Sequence, residues 1–350
     1  MDRIENAKML LQRVGKINLG FYPTPLQRLD RISNEYEINL YVKREDFSGM
    51  TLFGGNKIRK LEYLLNDAKN KGCDTVFTYG ATQSNHAMET ATAVRKCGMT
   101  PVLYLAAHVN PDAADIRANL LLDTILGAEI HILPANGRST KDTIQASTAD
   151  IAEHIARLQQ EGHKVYDIPV GGSTPHGVCG FADAYIELMQ QTRSMEIHPD
   201  VVFTATGSGG TLAGLSVGKA LLGDQTRLVA IQVGPKVSYS RQIVDLGNCT
   251  LGLLQSGEQV SEDIFEIDAA YYGPGYEMPY KEANDDIRYL ARTEGIFTDP
   301  VYSGKSFHGM MDYIRSGKVE KGSTVIYLHT GGATALFSEN AIIGDLNVLQ

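Results

Sequence analysis

Two lysines at the start of a predicted helix have a spacing that could turn one of them into a nucleophile. A glycine pair, Gly54-Gly55, leads into the helical segment, and Asn56 is predicted as its N-cap. Lys57 falls in the first turn, where the helix dipole disfavours a cation, and Lys60 lies one turn later on the same face. Repulsion between the two predicts a lowered pKa for Lys57, and a neutral amine can form a Schiff base with a carbonyl. The alternative is that Lys57 is an ordinary lysine on a solvated face.

A glycine-rich turn follows a predicted buried strand further along the chain. Residues 201–215 read VVFTATGSGGTLAGL, in which a strand gives way to a Gly/Ser/Thr turn and then to a helix start. Such a turn directs free backbone N–H groups and the positive end of a helix at one point, which suits a phosphate. The turn comprises Thr206, Gly207, Ser208, Gly209, Gly210 and Thr211.

The spacing of the residues disfavours two nucleotide-binding motifs. A dinucleotide fingerprint would need a third glycine where this turn has Leu212, and an acid where the next strand has Gln232. The segment 299–306 ends like a P-loop, but it begins with Asp299 instead of the required glycine. The sequence therefore disfavours NAD binding and ATP binding through these segments.

A third polar cluster lies where another predicted strand passes into a helix. Ser84, Asn85 and His86 place three hydrogen-bonding side chains at this helix start, which suits the carboxylate or ring oxygen of a small molecule. N-capping would explain Ser84 alone. His86 has no partner at metal-ligand spacing, so no metal site is predicted.

The elements that would position these groups alternate between short β-rich runs and amphipathic helical stretches, which is typical of parallel βαβ units and predicts an α/β fold. A helix is predicted over 113–126, with Ile116, Leu120, Leu121 and Ile125 on one face. The predicted strands are Thr75–Tyr79, Pro101–Leu105, Glu129–Leu133, Lys164–Val170, Val201–Thr206, Leu228–Val233, Phe265–Ala269 and Thr324–Leu328.

Composition limits the possible partners and compartments. The chain has 350 residues, 43% of them apolar, and a net charge of −9 without a basic tract, so a nucleic-acid partner is not expected. It shows neither a bilayer-length apolar run nor a signal-like N-terminus, which predicts a soluble cytoplasmic protein. The four cysteines, at positions 73, 97, 179 and 249, are too dispersed for a disulfide scaffold or a zinc site.

Taken together, these motifs resemble the fold type II pyridoxal-phosphate (PLP) enzymes, and specifically the family of D-cysteine desulfhydrase and 1-aminocyclopropane-1-carboxylate (ACC) deaminase. The resemblance extends over almost the whole chain. The matching segments, in order, are PTPLQRL (23–29), VKRED (42–46), GGNKIRKLEYL (54–64), GATQSNH (80–86), IPVGGS (168–173), TGSGGTLAGL (206–215), GYEMP (275–279), DPVYSGK (299–305) and LHTGG (328–332).

The resemblance implies a role for each candidate residue. Lys57 would hold PLP as an internal aldimine and move the substrate α-proton. Ser84 would be near the substrate carboxylate and α-carbon as a proton carrier, and Tyr276 and Tyr302 would line the substrate side. The phosphate would be held by Lys60 and the turn 206–211. Asn85 would bond the phenolic oxygen of the cofactor ring, Thr330 or Ser303 would meet its pyridine nitrogen, and Ser84, Asn85, His86 and Tyr276 would bind the substrate.

The implied architecture resembles the tryptophan synthase β subunit. It has a large PLP-binding domain, residues 1–59 and 173–350, and a small inserted α/β domain, residues 60–172. Each would contain a parallel or mostly parallel sheet, and the site would lie in the cleft between them. The resemblance also implies a homodimer.

The implied reaction is β-elimination from a β-substituted amino acid, with D-cysteine giving pyruvate, sulfide and ammonia. A neutral hydroxyl at the ring nitrogen suits elimination better than transamination. ACC deaminases carry a glutamate where this chain has Ser303, which counts against opening of the cyclopropane ring. Desulfhydrases continue QSNH with a small or β-branched residue and then Arg-Gln, whereas this chain has Ala87-Met88-Glu89. L-cysteate sulfo-lyase and ACC deaminase activities therefore stay open as alternatives.

Two other classes of protein compete with this interpretation. A small-molecule sensor of the same fold would keep the pocket, but it would not need an amine suited to forming an imine. A nucleotide-dependent oxidoreductase or kinase would need the motifs that are broken in this sequence.

Overall fold

A computed structural model describes residues 2–51, 54–236 and 239–338. It confirms an α/β fold with mostly parallel strands, divided between two sheets. The larger sheet contains β1 (Leu26–Arg28), β2 (Asn39–Arg44), β7 (Val201–Thr206), β8 (Arg227–Gln232), β9 (Glu266–Asp268) and β10 (Thr324–His329). Its strand order is β1-β2-β10-β7-β8-β9, and only β1 runs antiparallel to its neighbour.

The smaller sheet is wholly parallel, in the order β5-β4-β3-β6. Its strands are β3 (Thr75–Ala81), β4 (Thr100–Ala107), β5 (Glu129–Pro134) and β6 (Val165–Ile168). Every predicted strand has an observed counterpart, and β1 and β2 are two further strands that were not predicted. The predicted domain boundaries at 59/60 and 172/173 stay a prediction, and the first of them falls inside a helix.

Twelve α-helices in the described ranges cover the two sheets. They are α1 (Arg3–Val14), α2 (Asp30–Tyr36), α3 (Lys57–Asn70), α4 (Asn85–Lys96), α5 (Ala118–Ile125), α6 (Thr140–Ala146), α7 (Thr148–Gln160), α8 (Pro175–Ser194), α9 (Gly210–Leu222), α10 (Tyr239–Leu253), α11 (Lys281–Glu294) and α12 (Ser303–Arg315). Within the described part of the chain, none of them is both long and apolar enough to cross a membrane.

Two apolar cores lie on opposite faces of the larger sheet. Helices α1, α8, α9 and α10 pack on one face, and α2, α11 and α12 pack on the other. Such coverage explains why the central strands are apolar along their whole length, since strands buried on both faces do not alternate. The four cysteines are all unpaired, as predicted.

The helix predicted over 113–126 is shorter in the structure and begins only at Ala118. Two side chains account for the difference. Asp112 accepts a hydrogen bond from the backbone of Ala114 at 2.9 Å, which supports a turn before the helix. The side-chain oxygen of Gln83 accepts from the backbone N–H of Asn119 at 2.9 Å, so a residue distant in sequence fixes the first turn.

The strand predicted over 164–170 also ends early, at Ile168. Pro169 comes next and has no N–H to donate to a neighbouring strand. The chain then forms a short turn through Gly171 and Gly172, both of which have positive φ. The turn brings the chain to the start of α8.

Candidate active site

Helix α3 carries Lys57 as its first residue, and this residue is half-buried. Its Nζ donates to Asn56 Oδ1 at 2.6 Å and lies 6.0 Å from the centroid of the Tyr302 ring. Burial lowers the pKa of Lys57, and the carboxylates of Glu89 and Asp299 partly oppose this. The direction agrees with the prediction, but burial, not repulsion from Lys60, is the main cause.

Two other lysines near the site also have lowered pKa values, so the choice of Lys57 rests on geometry. Lys305 Nζ donates to the carbonyls of Tyr272, Gly275 and Tyr276, which ties the amine to a loop. Lys60, one turn further along α3, is fully buried. Of the three lysines, Lys57 is the one whose residue is only partly buried, and its Nζ has a single acceptor in the described structure.

The backbone at the start of α3 is held by an acid on the neighbouring helix α4. Glu89 Oε2 accepts from the backbone N–H of Lys57 at 3.0 Å. Asn56 occupies the N-cap position but makes no capping bond with its side chain, so the predicted capping role of Asn56 is wrong. Its amide instead donates to Thr211 at 3.1 Å, which joins α3 to the glycine-rich turn.

The surroundings of Lys60 suit the binding of an anion next to its amine. Its side chain is 1% exposed, and within the described ranges its Nζ donates only to the carbonyl of Gly171, at 3.0 Å. Burial and the nearby Lys57 hold the pKa of Lys60 well below its ordinary value. An anion placed here would restore the charged form, because an opposite charge offsets desolvation.

The glycine-rich turn, residues 206–211, lies against Lys60, and together they form a candidate anion site that we call the anion cradle. A Cβ added at Gly210 would lie 2.9 Å from Lys60 Nζ, 2.7 Å from Ser173 Oγ and 3.2 Å from Ser173 Cα. Gly209 has a φ of +88°, which a side chain would strain. Ser173 Oγ donates to Ser208 Oγ at 2.9 Å across the cradle. The donor set is therefore that of a phosphate site at a helix N-terminus.

Tyr239 holds the turn in place. Its hydroxyl donates to the carbonyl of Gly207 at 2.7 Å and bonds Thr206 Oγ1 at 2.7 Å. The Tyr302 ring also lies close to the turn, 3.3 Å from the position that a Cβ of Gly207 would take. The turn is thus fixed by the hydrogen bonds of Tyr239 and contacted by the aromatic ring of Tyr302.

We expect Gly210→Ala to weaken cofactor binding about tenfold or more. The added methyl would displace Lys60 Nζ and press on the backbone of Ser173, and each 1.4 kcal/mol of lost binding is a tenfold change. Titration of the cofactor-free protein with PLP, followed by absorbance, measures the effect. Gly252→Ala is the matched control, because a Cβ at this exposed helical position would meet nothing within 4 Å. Equal affinity of the two variants for PLP would contradict the assignment of phosphate binding to the anion cradle.

Helix α4 begins at Asn85 and presents two of the predicted polar groups. Ser84 caps the helix by accepting from the backbone N–H of Ala87 at 3.2 Å. Asn85 Oδ1 accepts from Asn119 Nδ2 at 2.7 Å and from Thr334 Oγ1 at 3.1 Å. These two bonds fix the amide, and Nδ2 remains as a donor 3.2 Å from where a Cβ of Gly332 would be.

His86 is the predicted site residue whose ring is buried and bonded within the fold. Its Nε2 is bonded to Thr78 Oγ1 at 2.8 Å, and Nδ1 faces Thr90 Oγ1 at 3.5 Å. Burial and the charges of Lys57 and Lys60 hold its pKa well below the ordinary value. The ring ties α4 to β3, and the substrate-binding role of His86 stays a prediction.

Two tyrosines from separate loops meet on the remaining side. The rings of Tyr276 and Tyr302 are 5.6 Å apart and nearly perpendicular, at 81°. Lys305 anchors the loop of Tyr276 through its three carbonyl contacts, and Tyr302 is the N-cap residue of α12. Burial raises the pKa of Tyr302, which favours its neutral form.

The two hydroxyls predicted for the ring nitrogen have different surroundings. Ser303 Oγ donates to Asp299 Oδ2 at 2.5 Å and accepts from the backbone N–H of Asp299 at 2.9 Å. The Asp299 carboxylate also accepts from the backbone N–H groups of Val301, Tyr302 and Ser303, and so shapes the start of α12. The Thr330 hydroxyl has no hydrogen-bond partner among the described residues.

A buried ion-pair network holds α3 from the opposite side. Arg59 Nε and Nη2 donate to Glu45 at 2.6 and 2.9 Å, and its Nη2 and Nη1 donate to Glu187 at 2.8 and 3.1 Å. Lys43 also pairs with Glu187. Beside them, Gly180 of α8 approaches the Arg59 carbonyl so closely that a Cβ would lie 2.3 Å from it. The network and the glycine together fix the helix that carries Lys57 and Lys60.

Several residues of the site were not predicted to belong to it. In the sequence, Glu89 is a departure from the desulfhydrase motif, and Asp299 is a residue that breaks a P-loop. Each acts on a residue distant in sequence or through the backbone, so no local pattern identifies it. The group comprises Glu89, Ser173, Tyr239, Asp299 and Lys305.

Glu89 is predicted to make stability depend on pH. Burial raises its pKa from 4.5 to about 7, so the folded protein binds this proton more tightly than the unfolded chain does. The associated stability is present below about pH 4.5 and is lost as the pH rises to about 7. We therefore expect Glu89→Gln to stabilise the holoprotein by on the order of 2 kcal/mol more at pH 8 than at pH 5.

Thermal unfolding at the two pH values measures this difference. Glu153→Gln is the control, because Glu153 is exposed on α7. An equal effect of Glu89→Gln at pH 5 and pH 8 would show that Glu89 keeps one protonation state throughout this range.

The comparisons with known proteins agree with this geometry. Residues 17–331 match the sequence family described as "Pyridoxal-phosphate dependent enzyme". The chain is similar to the 1-aminocyclopropane-1-carboxylate deaminases of Burkholderia cenocepacia strain HI2424 (38% identity, covering 95% of this chain and 99% of the relative) and Burkholderia vietnamiensis strain G4 (37%, 96% and 100%). A crystal structure described as an ACC deaminase homologue superposes with a TM-score of 0.84, at 36% identity, covering 95% of this chain and 96% of the other.

Proposed function

The chain belongs to the pyridoxal-phosphate-dependent enzymes, in the family that includes ACC deaminase, and from this premise we propose that it eliminates the β-substituent of a small amino acid, with D-cysteine as the substrate. D-cysteine and water would give pyruvate, hydrogen sulfide and ammonia. The observation that carries the proposal is the Lys57 amine of lowered pKa, 6.0 Å from the centroid of the Tyr302 ring. The next residue is Ser303, at the position to which the resemblance assigns a glutamate in ACC deaminases.

PLP, when bound, withdraws electrons from the substrate α-carbon and so makes its proton removable. The donor set fits this cofactor. Lys60 and the turn 206–211 would bind the phosphate, the Lys57 amine would hold the aldehyde carbon, and Asn85 Nδ2 would donate to the phenolic oxygen.

The chain's own proton carrier would be Lys57 Nζ. A buried amine with a lowered pKa is neutral in a larger fraction of molecules at physiological pH, so it can accept the α-proton of the substrate. Asn56 Oδ1 would orient the amine through its 2.6 Å bond. The Ser84 hydroxyl, at the N-terminus of α4, would bind the substrate carboxylate together with the free N–H groups of that helix.

Thr330 is the better of the two hydroxyls for the ring nitrogen. The proton of Ser303 is committed to Asp299, whereas the Thr330 hydroxyl has no other partner in the described structure and could donate. A neutral donor would leave the pyridine nitrogen unprotonated, so less negative charge would be drawn into the ring. Loss of the β-substituent would then be favoured over transamination.

ACC is the second candidate substrate, because relatives with 37 and 38% identity are named as ACC deaminases. Ser303 counts against it, since the resemblance assigns a glutamate to this position in ACC deaminases. L-cysteate is a third candidate, which would release sulfite in place of sulfide. A sensor of the same fold would bind the cofactor without turning over any of these substrates.

A substrate panel separates these possibilities. The purified holoenzyme would be supplied separately with D-cysteine, L-cysteine, ACC and L-cysteate, while pyruvate, 2-oxobutanoate, sulfide, sulfite and ammonia are measured. We expect D-cysteine to give the highest kcat/KM, with pyruvate, sulfide and ammonia in equal amounts. Faster formation of 2-oxobutanoate from ACC would overturn the proposal in favour of ACC deaminase activity.

A further inference from the structure

A second cluster of chemistry-bearing side chains lies in the smaller sheet, on its edge strand β5. Glu129 and His131 are two residues apart on this strand, so their side chains point to the same face of the sheet. His154 approaches the same point from α7. The three potential ligand atoms, one from each residue, all lie within 4.8 Å of one another.

The distances between the potential ligand atoms are close to those between the ligands of a bound zinc ion. Glu129 Oε1 is 2.8 Å from His131 Nε2 and 3.4 Å from His154 Nε2. Ligands about 2.0–2.1 Å from a tetrahedral zinc are separated from each other by about 3.3 Å. The Glu129–His154 distance already matches this separation, and a movement of His131 Nε2 by about 0.5 Å away from Glu129 would bring the other pair to it.

His154 provides the second observation that points to a ligand. The residue is 7% exposed, and its Nε2 is buried without a hydrogen-bond partner in the described structure, although it faces Glu129. Its other nitrogen, Nδ1, is bonded to the Tyr104 hydroxyl at 2.8 Å. A bond at one ring nitrogen fixes the ring and directs the other toward a metal, as second-sphere partners do in histidine sites.

The rings around the cluster are already ordered. His131 stacks on Tyr104 with centroids 4.3 Å apart and planes at 6°, and His154 meets Phe77 edge to face at 5.1 Å.

We propose that Glu129, His131 and His154 form a binding site for a divalent transition-metal ion, with zinc as the best-matched probe. Two imidazoles and one carboxylate suit zinc, nickel or cobalt, whereas magnesium and calcium prefer oxygen ligands alone. Three protein ligands leave a fourth position for water. A bound ion would join β5 to α7 and so stabilise the small sheet at its edge.

The test is metal binding by the full-length holoprotein after treatment with a chelator. Titration with ZnCl₂ in a calorimeter is expected to show one ion per chain, with affinity reduced at least tenfold in His131→Gln and in Glu129→Gln. Both residues are partly exposed, so these variants should keep the fold, and their far-UV circular dichroism and cofactor absorbance check it. His163→Gln is the matched control, since it removes an exposed histidine that faces a single acid, Asp74, at 3.3 Å.

Two further readouts do not depend on enzyme activity. Co²⁺ bound in place of zinc should give the visible absorption of a tetrahedral site in the wild type but not in His131→Gln. Zinc should raise the melting temperature of the wild type and of His163→Gln, and leave that of Glu129→Gln unchanged. Absence of one-to-one binding, or equal affinity in all variants, would overturn the proposal.

Discussion

Replacing Lys57 with alanine is expected to reduce turnover more than about 10³-fold and to remove the yellow absorbance band of the holoprotein. The loss is this large because one amine both holds the cofactor and moves the substrate proton. Lys57 is singled out by its geometry, since the residue is only partly buried and its Nζ is bonded only to Asn56 Oδ1 in the described structure. Absorbance and the substrate panel measure both effects.

Lys69→Ala is the control for this variant, because Lys69 is exposed in the last turn of the same helix. Reduction of the holoprotein with borohydride, followed by peptide mapping, should place the label on Lys57. Lys305, whose pKa is lowered to about 8 by burial, and Lys60 are the two competing amines. A label on either of them, or an unchanged band in Lys57→Ala, would contradict the assignment.

The sequence predicts much of the fold because its signals are local. Apolar strands followed by polar turns mark the positions from β3 to β10, and after β3 and β7 the turn leads directly into a helix. The resemblance, not a local signal, implies that the turn 206–211, Ser84, Asn85 and Lys57 belong to one site. The turn follows β7 of the larger sheet and Ser84 follows β3 of the smaller sheet, so contacts between distant segments have to bring them together.

Strand β2 shows where local signals fail. Its sequence, NLYVKR, ends in two charged residues, which are uncommon in a buried strand. Lys43 is tolerated there because it pairs with Glu187, which is 144 residues away in the sequence. No pattern within the strand contains this partner.

The correction within the site has the same origin. Asn56 has the residue type of an N-cap, but Glu89 reaches the helix start from a neighbouring helix and takes this role. In the same way, the ring nitrogens of His86 face Thr78 of β3 and Thr90 of α4, partners that its own polar motif does not contain. Residue type predicted a capacity to form hydrogen bonds, while the partner was decided by tertiary packing.

The second large effect is on stability and follows from the buried network behind α3. Arg59 is 2% exposed and faces two carboxylates, Glu45 and Glu187, of which Glu45 is fully buried. Arg59→Ala would leave these charges without their main counter-ion, and breaking a buried pair in this way destabilises proteins by about 3–5 kcal/mol. We expect a loss of this size in urea unfolding of the holoprotein. Weaker PLP binding should accompany it, because the same helix carries Lys57 and Lys60.

Two further variants keep this prediction testable if Arg59→Ala does not fold. Arg59→Lys should be destabilised less, since an ammonium keeps the charge but cannot bind two carboxylates with a planar fork. Arg193→Ala is the exposed control, because Arg193 pairs with Asp2 at the surface and should change the free energy of unfolding by less than about 1 kcal/mol. If Arg59→Ala unfolded at the same urea concentration as Arg193→Ala, the ion-pair network would orient α3 without adding to the free energy of unfolding. The position of Lys57 would then depend on the close packing of α3 against Gly180.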